Sequence, residues 1–206
     1  MPAKELIKIL SIDGGGIRGI IPAMVLAELE RLTGRPACEL FDLVAGTSTG
    51  GIIALGVTVP GEGGKPRWSA HDLADLYVSE GPKIFHRSLA RTIRTLDGLL
   101  VEKYAASGLE AALERYMADT RLPQALTKVL ITSYDIHKHE PFFFKSFKPR
   151  ARVASSPRDG AAEQAAASSP PQPADYPMRV VARATSAAPT YFEPEPVPLS
   201  PPAAWP

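Results

Sequence analysis

The chain has 206 residues, 45% hydrophobic and 22% charged, a composition typical of one globular domain with a sizeable core. The formal net charge of +1 provides no basic field, which argues against nucleic acid as a partner. A single cysteine, Cys38, excludes a disulfide within the chain, and we expect it to be a small buried residue.

The N-terminal residues 1–16 do not follow the pattern of a signal peptide, because their apolar stretch is short, contains Lys8 and runs into glycines. No window approaches the roughly 18 apolar residues of a membrane-spanning helix. We therefore expect a soluble protein that is cytoplasmic or peripheral to a membrane.

The first 60 residues predict strand, glycine-rich loop and helix twice in succession. Residues 6–12 form an apolar run typical of a buried strand, and residues 20–32 follow as a helix. A second apolar run, 40–45, ends at Gly46, and 52–59 has the composition of a buried helix. This order predicts an α/β fold with a mostly parallel sheet. The first helix is expected to turn one apolar face to the core, formed by Ile21, Val25, Leu29 and Leu32.

The middle of the chain predicts two helices and then two strands. Ser69 and Asp72 have the spacing of a capping box. The helix that they begin has an apolar face of Leu73, Leu76 and Tyr77. An amphipathic helix is predicted over 109–117. Strands are predicted over 128–136 and 141–147, joined by the polar turn 137–140.

The last third of the chain is less regular. Residues 151–177 are rich in Ala, Ser and Pro and have no periodicity, so we expect a flexible insertion. A helix is predicted over 179–187. The proline-rich tail, 194–206, has no globular pattern.

Residues 46–50, GTSTG, form a G-x-S-x-G pattern between a predicted strand and a predicted helix. A serine on such a sharp turn exposes its hydroxyl at the carboxyl edge of the sheet, and the following helix points its first amides towards it. We predict that Ser48 is a nucleophile. Its elbow would be formed by Gly46, Thr47, Thr49 and Gly50. An ordinary glycine-rich turn is the alternative.

Residues 13–19, DGGGIRG, form a second constellation. Consecutive glycines let backbone amides converge on a small anion, as the oxyanion of ester hydrolysis requires. We predict an oxyanion loop of Gly14, Gly15 and Gly16. Arg18 is expected to support this loop, to approach a phosphate group or to make a structural ion pair.

The same segment also contains G-x-G-x-x-G, the dinucleotide-binding pattern, which leaves a Rossmann-type domain as an alternative. That fold requires an acidic residue at the end of the second strand. Asp42 lies at the start or middle of the predicted strand, and its end is occupied by Gly46, so the pattern is incomplete.

Three ordered segments resemble the patatin-like phospholipase family: DGGGIRG (13–19), FDLVAGTSTGGIIALG (41–56) and ARATSAAPTYF (182–192). The resemblance extends over about residues 8–193, with 151–177 as a non-matching insert. It implies a domain over 1–193 with a three-layer α/β fold, in which helices flank a mostly parallel sheet.

The resemblance also implies a serine–aspartate dyad in which Ser48 is the nucleophile and the glycine loop with Arg18 is the oxyanion hole. It implies a lipid acyl hydrolase of phospholipase A or lysophospholipase type, which acts on a lipid ester, contacts membrane surfaces transiently and needs no metal or cofactor.

The family's catalytic base is the aspartate of a D-G-[GA] motif beyond the segment that 182–192 resembles. No aspartate follows Asp175 in this sequence, and the Asp-Gly pairs at Asp13, Asp97 and Asp159 all come earlier. We therefore expect a domain incomplete at its C-terminal end, with little or no esterase activity. A catalytically dead lipid-binding or regulatory module is the alternative.

Two other groups of residues offer weaker indications of function. Asp135 followed by His137 or His139 has the chain order of a hydrolase triad, although a polar hairpin turn is favoured. Aromatic residues could form an interfacial patch, but an aromatic run in a strand more often belongs to the core. These aromatic residues are Trp68, Phe85 and the run Phe142, Phe143 and Phe144.

Overall fold

The computed structural model describes residues 6–84, 106–147, 175–188 and 192–197. Within these residues, strands form a sheet in the order β1-β2-β3-β4. Its members are β1 (Ile9–Ile12), β2 (Leu43–Thr47), β3 (Lys128–Asp135) and β4 (Glu140–Lys145). β1, β2 and β3 are parallel, whereas β4 returns antiparallel to β3. The mixed α/β fold with a mostly parallel sheet is therefore confirmed.

Helices precede β2 and β3 in the connections, and one more helix follows β4. They are α1 (Ile20–Thr33), α2 (Ala37–Leu40), α3 (Thr49–Gly56), α4 (Ala70–Ser79), α5 (Gly81–Ile84), α6 (Ala106–Met117) and α7 (Met178–Thr185). α3 is buried along its whole length and packs against the three parallel strands, α4 and α7. Its continuous apolar sequence is explained by this central position.

Several local predictions are confirmed. α4 begins with the capping box, in which the Asp72 amide donates to Ser69 Oγ and the Ser69 amide donates to the Asp72 carboxylate. β3 and β4 form the predicted hairpin. Capping residues and alternating apolar residues act over a few positions, so the sequence alone contains these signals.

The predicted core face of α1 is wrong. Ile21, Val25 and Leu32 are 60%, 57% and 65% exposed, and Leu29 is also exposed. The buried residues of this helix are Ala23 and Leu26, on the side that packs against α4. The helix has apolar residues on two sides, and the side with Ala23 and Leu26 is the buried one.

β1 also differs from its prediction. It begins at Ile9 rather than at residue 6, and it pairs only with β2 in the described sheet. As an edge strand it leaves Ile9 62% exposed, so it is not the buried strand that its apolar run indicated. β2 is displaced too, because residues 37–40 form α2 and the strand continues through Thr47.

The predicted insertion ends earlier than its composition indicated. Residues 151–174 lie outside the described residues, but Tyr176 is only 2% exposed and packs edge-on against Phe144, with ring centroids 5.2 Å apart. The Tyr176 carbonyl accepts the Leu122 amide at 2.8 Å, and Asp175 forms an ion pair with Arg121. Asp175, Tyr176 and Pro177 therefore belong to the packed fold.

The aromatic residues considered for an interfacial patch pack mainly inward. Phe144 is buried, and its ring lies 4.7 Å from that of Phe142. Trp68 donates its indole N–H to the Tyr116 carbonyl, and Phe143 is the more exposed member of the run. Phe85 lies outside the described residues. None of the helices in the described part of the chain is long and apolar enough to cross a bilayer.

Candidate active site

Ser48 is the single residue between the end of β2 and the start of α3. Its backbone has φ +54° and ψ −124°, a conformation that non-glycine residues rarely adopt. The side chain is half-buried, at the carboxyl end of a parallel strand. The predicted placement of this serine on a strand-to-helix turn therefore matches the structure.

The glycines around Ser48 are explained by close backbone approach. A Cβ on Gly46 would collide with the carbonyl of Gly50, and a Cβ on Gly50 would collide with the carbonyl of Ile12. These contacts bring the end of β1, the end of β2 and the start of α3 together. Side chains at either position would force them apart.

The triple-glycine loop follows β1 and reaches the same edge of the sheet. A Cβ on Gly14 would lie 2.9 Å from Ser48 Cβ and 2.9 Å from the Thr47 carbonyl oxygen. Gly16, with φ +59°, begins a 3₁₀ turn over Gly16–Gly19 that leads into α1. The two glycine motifs, about thirty residues apart in sequence, thus meet beside the Ser48 side chain.

Hydrogen bonds fix the glycine loop against α3. The Gly15 amide donates to Thr49 Oγ1 at 3.1 Å. Arg18 is exposed, and its Nε donates to the Gly15 carbonyl at 3.3 Å, so it braces the loop from the solvent side. Thr49, Gly50 and Gly51 precede the first hydrogen bond of α3, from the Ile52 amide to the Ser48 carbonyl. Their amides belong to the unpaired first turn of the helix, which favours negative charge.

Three residues near Ser48 were missed as site residues by sequence reasoning. Thr185 of α7 accepts the Ser48 amide through Oγ1 at 2.8 Å, and its hydroxyl donates to the Thr132 carbonyl at 2.6 Å. The Tyr77 hydroxyl, inside the core, donates to the Thr49 carbonyl at 3.0 Å. The only sequence signal for Thr185 is its position inside the ARATSAAPTYF segment.

Asp135 is the last residue of β3, and its side chain binds the turn that follows. Its Oδ1 accepts the amides of His137 and Lys138 at 2.9 and 3.1 Å. The hydrogen bond from the Lys138 amide lowers the pKa of this carboxyl below its usual value, and the bond from the His137 amide lowers it by a smaller amount. The favoured interpretation of a polar hairpin turn accounts for these contacts.

Asp42, the acid considered for dinucleotide binding, precedes β2 and accepts the Lys8 amide at 2.7 Å. It therefore lies at the opposite edge of the sheet from the glycine loop. Among the candidate Asp-Gly pairs, Asp97 and Asp159 lie outside the described residues.

This candidate site combines an α/β sheet, a serine on a strand-to-helix elbow and a glycine loop beside it, features that α/β serine hydrolases also have. The sequence model of the family described as "Patatin-like phospholipase" matches residues 10–202. The chain belongs to the patatin-like phospholipase family.

Similar proteins agree with this assignment. The chain is 36% identical over 197 residues to Patatin-like protein 2 of Arabidopsis thaliana, covering 91% of the chain and 44% of that protein. It is 34% identical over 198 residues to Patatin-16 of Solanum tuberosum, covering 93% of the chain and 44% of that protein. Patatin-like protein 2 of Oryza sativa subsp. indica is 40% identical over 156 residues, 70% of the chain and 38% of its own length. The chain thus spans less than half the length of these relatives.

Proposed function

We propose that this chain carries the nucleophile and the oxyanion-binding loop of a patatin-like lipid acyl hydrolase. Ser48 is the nucleophile, and the substrate is the ester of a phospholipid or an acylglycerol. The observation that carries this proposal is the approach of Gly14 to the Ser48 side chain on its strained elbow. Acyl transfer requires a nucleophile and anion-stabilising donors within one small volume.

The donors are backbone amides. The Gly15 amide already donates to Thr49 Oγ1, and this bond fixes the loop. The amides of Gly14 and Gly16 are therefore the loop's candidate donors to the oxyanion. The Thr49 amide, at the first position of α3, supplies a further donor together with the partial positive charge of the helix start. Arg18 holds the loop through the Gly15 carbonyl.

The reaction follows from these roles. Ser48 Oγ attacks the ester carbonyl carbon while its proton passes to a base, and the carbonyl oxygen becomes an oxyanion held by the amides. Collapse of the tetrahedral intermediate breaks the ester C–O bond and releases the alcohol or lysolipid with the proton. Water then attacks the acyl-enzyme in the same way and releases the fatty acid. The cycle uses no metal or cofactor.

The base determines how fast this chain can act alone. In the family the base is the aspartate of a motif with no counterpart after Asp175 in this sequence. Within the described residues, the Ser48 hydroxyl makes no hydrogen bond to a carboxylate or imidazole. We propose that the 206-residue chain alone has little or no esterase turnover.

A fluorophosphonate probe with mass-spectrometric mapping tests the nucleophile. Because no counterpart of the family's aspartate follows Asp175, we expect slow covalent modification, confined to Ser48, abolished by Ser48→Ala and unchanged in Ser107→Ala, which alters an exposed serine of α6. Modification spread over several hydroxyls, or equal modification of Ser48→Ala, would contradict the assignment.

Turnover is tested separately with p-nitrophenyl butyrate. The native chain is expected to release p-nitrophenol at nearly the rate of Ser48→Ala. A clear burst that disappears in Ser48→Ala would show that another residue serves as base, and would overturn the low-activity proposal while supporting the nucleophile.

A catalytically dead lipid-binding or regulatory module is the second candidate. It is favoured by the hydroxyl of Ser48, which lacks an activating partner within the described part of the chain. Phospholipid vesicles separate the candidates: sedimentation of the chain with vesicles, together with no probe reaction at Ser48, would support the binding module.

A further inference from the structure

Thr185 connects the elbow to the sheet through one hydroxyl group. This side chain comes from α7, 137 residues after Ser48, and is 8% exposed. Its Oγ1 accepts the Ser48 amide at 2.8 Å and donates to the Thr132 carbonyl of β3 at 2.6 Å. A hydroxyl has one proton and two lone pairs, so one group can serve both partners.

The hydroxyl lies where the parallel ladder ends. The last pair between β2 and β3 is Thr47 with Thr132, and Ser48 is the next residue. Thr185 therefore lies between the amide of the residue that follows β2 and a carbonyl within β3. Without this hydroxyl, the Ser48 amide and the Thr132 carbonyl would each lose a hydrogen bond in a part-buried position, which is unfavourable.

Thr185 also contacts the other side of the elbow. A Cβ added to Gly51, in the first turn of α3, would lie 2.8 Å from Thr185 Cγ2. The methyl therefore packs against α3 while the hydroxyl binds the Ser48 amide. α7 is further attached to β3 by the hydroxyl of Ser133, which donates to the Ala184 carbonyl at 3.3 Å.

We propose that Thr185 is a positioning residue for Ser48, an inference that rests on the proposed acyl-transfer function. Its hydroxyl holds Ser48 in the positive-φ conformation that turns the nucleophile towards the Gly14 loop. It also occupies the Ser48 amide, so that oxyanion donors come from the loop and from Thr49. A conformation at φ +54° persists only where surrounding contacts impose it, and Thr185 supplies such a contact.

The test compares three variants. Thr185→Val keeps the shape and removes the hydroxyl, whereas Thr185→Ser keeps the hydroxyl and removes the methyl. Thr58→Val is the matched control, since Thr58 is also buried and its hydroxyl bonds to the Ala54 and Leu55 carbonyls at the far end of α3. Any effect of losing a buried threonine hydroxyl in general appears in this control.

Two measurements are made on each variant: NMR amide hydrogen exchange at Ser48, and the rate of fluorophosphonate modification of Ser48. We expect Thr185→Val to raise the exchange rate and lower the modification rate, each by about ten-fold, the effect of one lost hydrogen bond. Thr185→Ser should stay within about three-fold of native in both. Thr58→Val should lower overall stability without a selective change at Ser48.

The outcomes distinguish the positioning role of Thr185 from the proposed acyl-transfer function on which it rests. If Thr185→Val behaves like Thr58→Val, Thr185 is merely structural and the inference is wrong. If the native chain does not react with the probe, the acyl-transfer function fails, while amide exchange still decides whether Thr185 positions the elbow. Should Thr185→Val not fold, a Thr185→Ser variant with rapid Ser48 exchange would contradict the inference, and native-like exchange would support it.

Discussion

Ser48 adopts a backbone conformation that costs about 1–3 kcal/mol for a residue with a side chain, and its neighbours must hold it there. The restraints are local and specific: close backbone approach at Gly46 and Gly50, and a hydrogen bond from its amide to Thr185. The site therefore depends on the absence of side chains at particular positions as much as on the serine itself.

Gly14 provides a direct test of that dependence. We expect Gly14→Ala to cost about 1–3 kcal/mol of unfolding free energy, because the new methyl meets the Thr47 backbone and the Ser48 Cβ at 2.9 Å. Urea denaturation measures this loss, and fluorophosphonate modification of Ser48 should slow in parallel.

Gly15→Ala is the matched control in the same loop. A methyl there meets only the Arg18 side chain, at 3.5 Å or more, so the change in stability should stay within about 0.5 kcal/mol. Equal destabilisation by both substitutions would mean that the loop does not tolerate side chains in general, and that the Gly14 contact is not the cause.

Cys38 gives a prediction about reactivity. It is 7% exposed, and burial, with a smaller effect from the charge of Glu39, raises the pKa of its thiol to about 11. Since the thiolate is the reactive form, iodoacetamide at pH 8 should modify the native thiol at least about a hundred-fold more slowly than the urea-unfolded thiol. The native rate should keep rising up to pH 10. Equal rates in both states would contradict this.

At the level of single residues, the sequence indicated those parts of the candidate site that lie within short motifs; their catalytic roles stay predictions. Ser48 and the two glycine segments carry their signal in five to seven adjacent letters. Thr185 could not be found this way, because its role depends on α7 packing beside Thr132 of β3. A threonine hydroxyl has many possible partners, and only the tertiary structure selects one.

Among the elements, those whose determinants are local were predicted well. α4 has its cap at Ser69, and the β3–β4 hairpin alternates buried and less buried residues around a polar turn. α1 was predicted as a helix, but its packing face was wrong. Periodicity establishes that a stripe of side chains is apolar, whereas the neighbouring elements decide which stripe is buried.

α1 therefore allows a test in which two leucines of one helix respond differently. Leu26→Ala should cost about 2–4 kcal/mol, because Leu26 is 2% exposed and its loss leaves a cavity facing the core. Leu32→Gln, on the exposed stripe, should change stability by less than about 0.5 kcal/mol. Both values come from urea denaturation. A large loss of unfolding free energy in Leu32→Gln, without one in Leu26→Ala, would mean that the face predicted from periodicity is the buried one.

Across the whole molecule, α7 joins parts of the chain that are far apart in sequence. One side of it reaches the elbow through Thr185. Elsewhere Arg183, only 4% exposed, forms ion pairs with Glu110 of α6 at 3.4 Å and with Glu195 at 3.9 Å, and lies over the Phe192 ring. α7 thus attaches residues 192–197 and α6 to the same core that supports Ser48.

Long-range connections of this kind were the least predictable feature of the fold. Tyr176 stands at the end of a segment whose average composition indicates flexibility, yet its ring packs on Phe144 in β4. The composition averaged over the whole segment is dominated by Ala, Ser and Pro, so one aromatic residue has little effect on it. Burial of a single side chain is decided by the space that other elements leave, which no local pattern contains.

Glu195 tests whether residues 192–197 are docked on α7 in solution. Burial, opposed by the charge of Arg183, raises the pKa of its carboxyl above the usual value. The folded chain then binds this proton more tightly than the unfolded chain does. The group's contribution is most favourable below the unfolded pKa and declines as pH rises through the raised folded pKa, above which it is constant.

Glu195→Gln cannot titrate, so this decline should be absent from the variant. The measurement is the free energy of unfolding in urea from pH 4 to 7.5 for native, Glu195→Gln and the control Glu193→Gln, which changes an exposed residue of the same type. Other carboxyls are common to all three proteins and cancel in the differences. The native chain should lose stability relative to Glu195→Gln as pH rises.

Two other outcomes would contradict this expectation. If the native chain gains stability relative to Glu195→Gln as pH rises, the ion pair with Arg183 outweighs burial. If the two curves are parallel, residues 192–197 do not dock at Arg183.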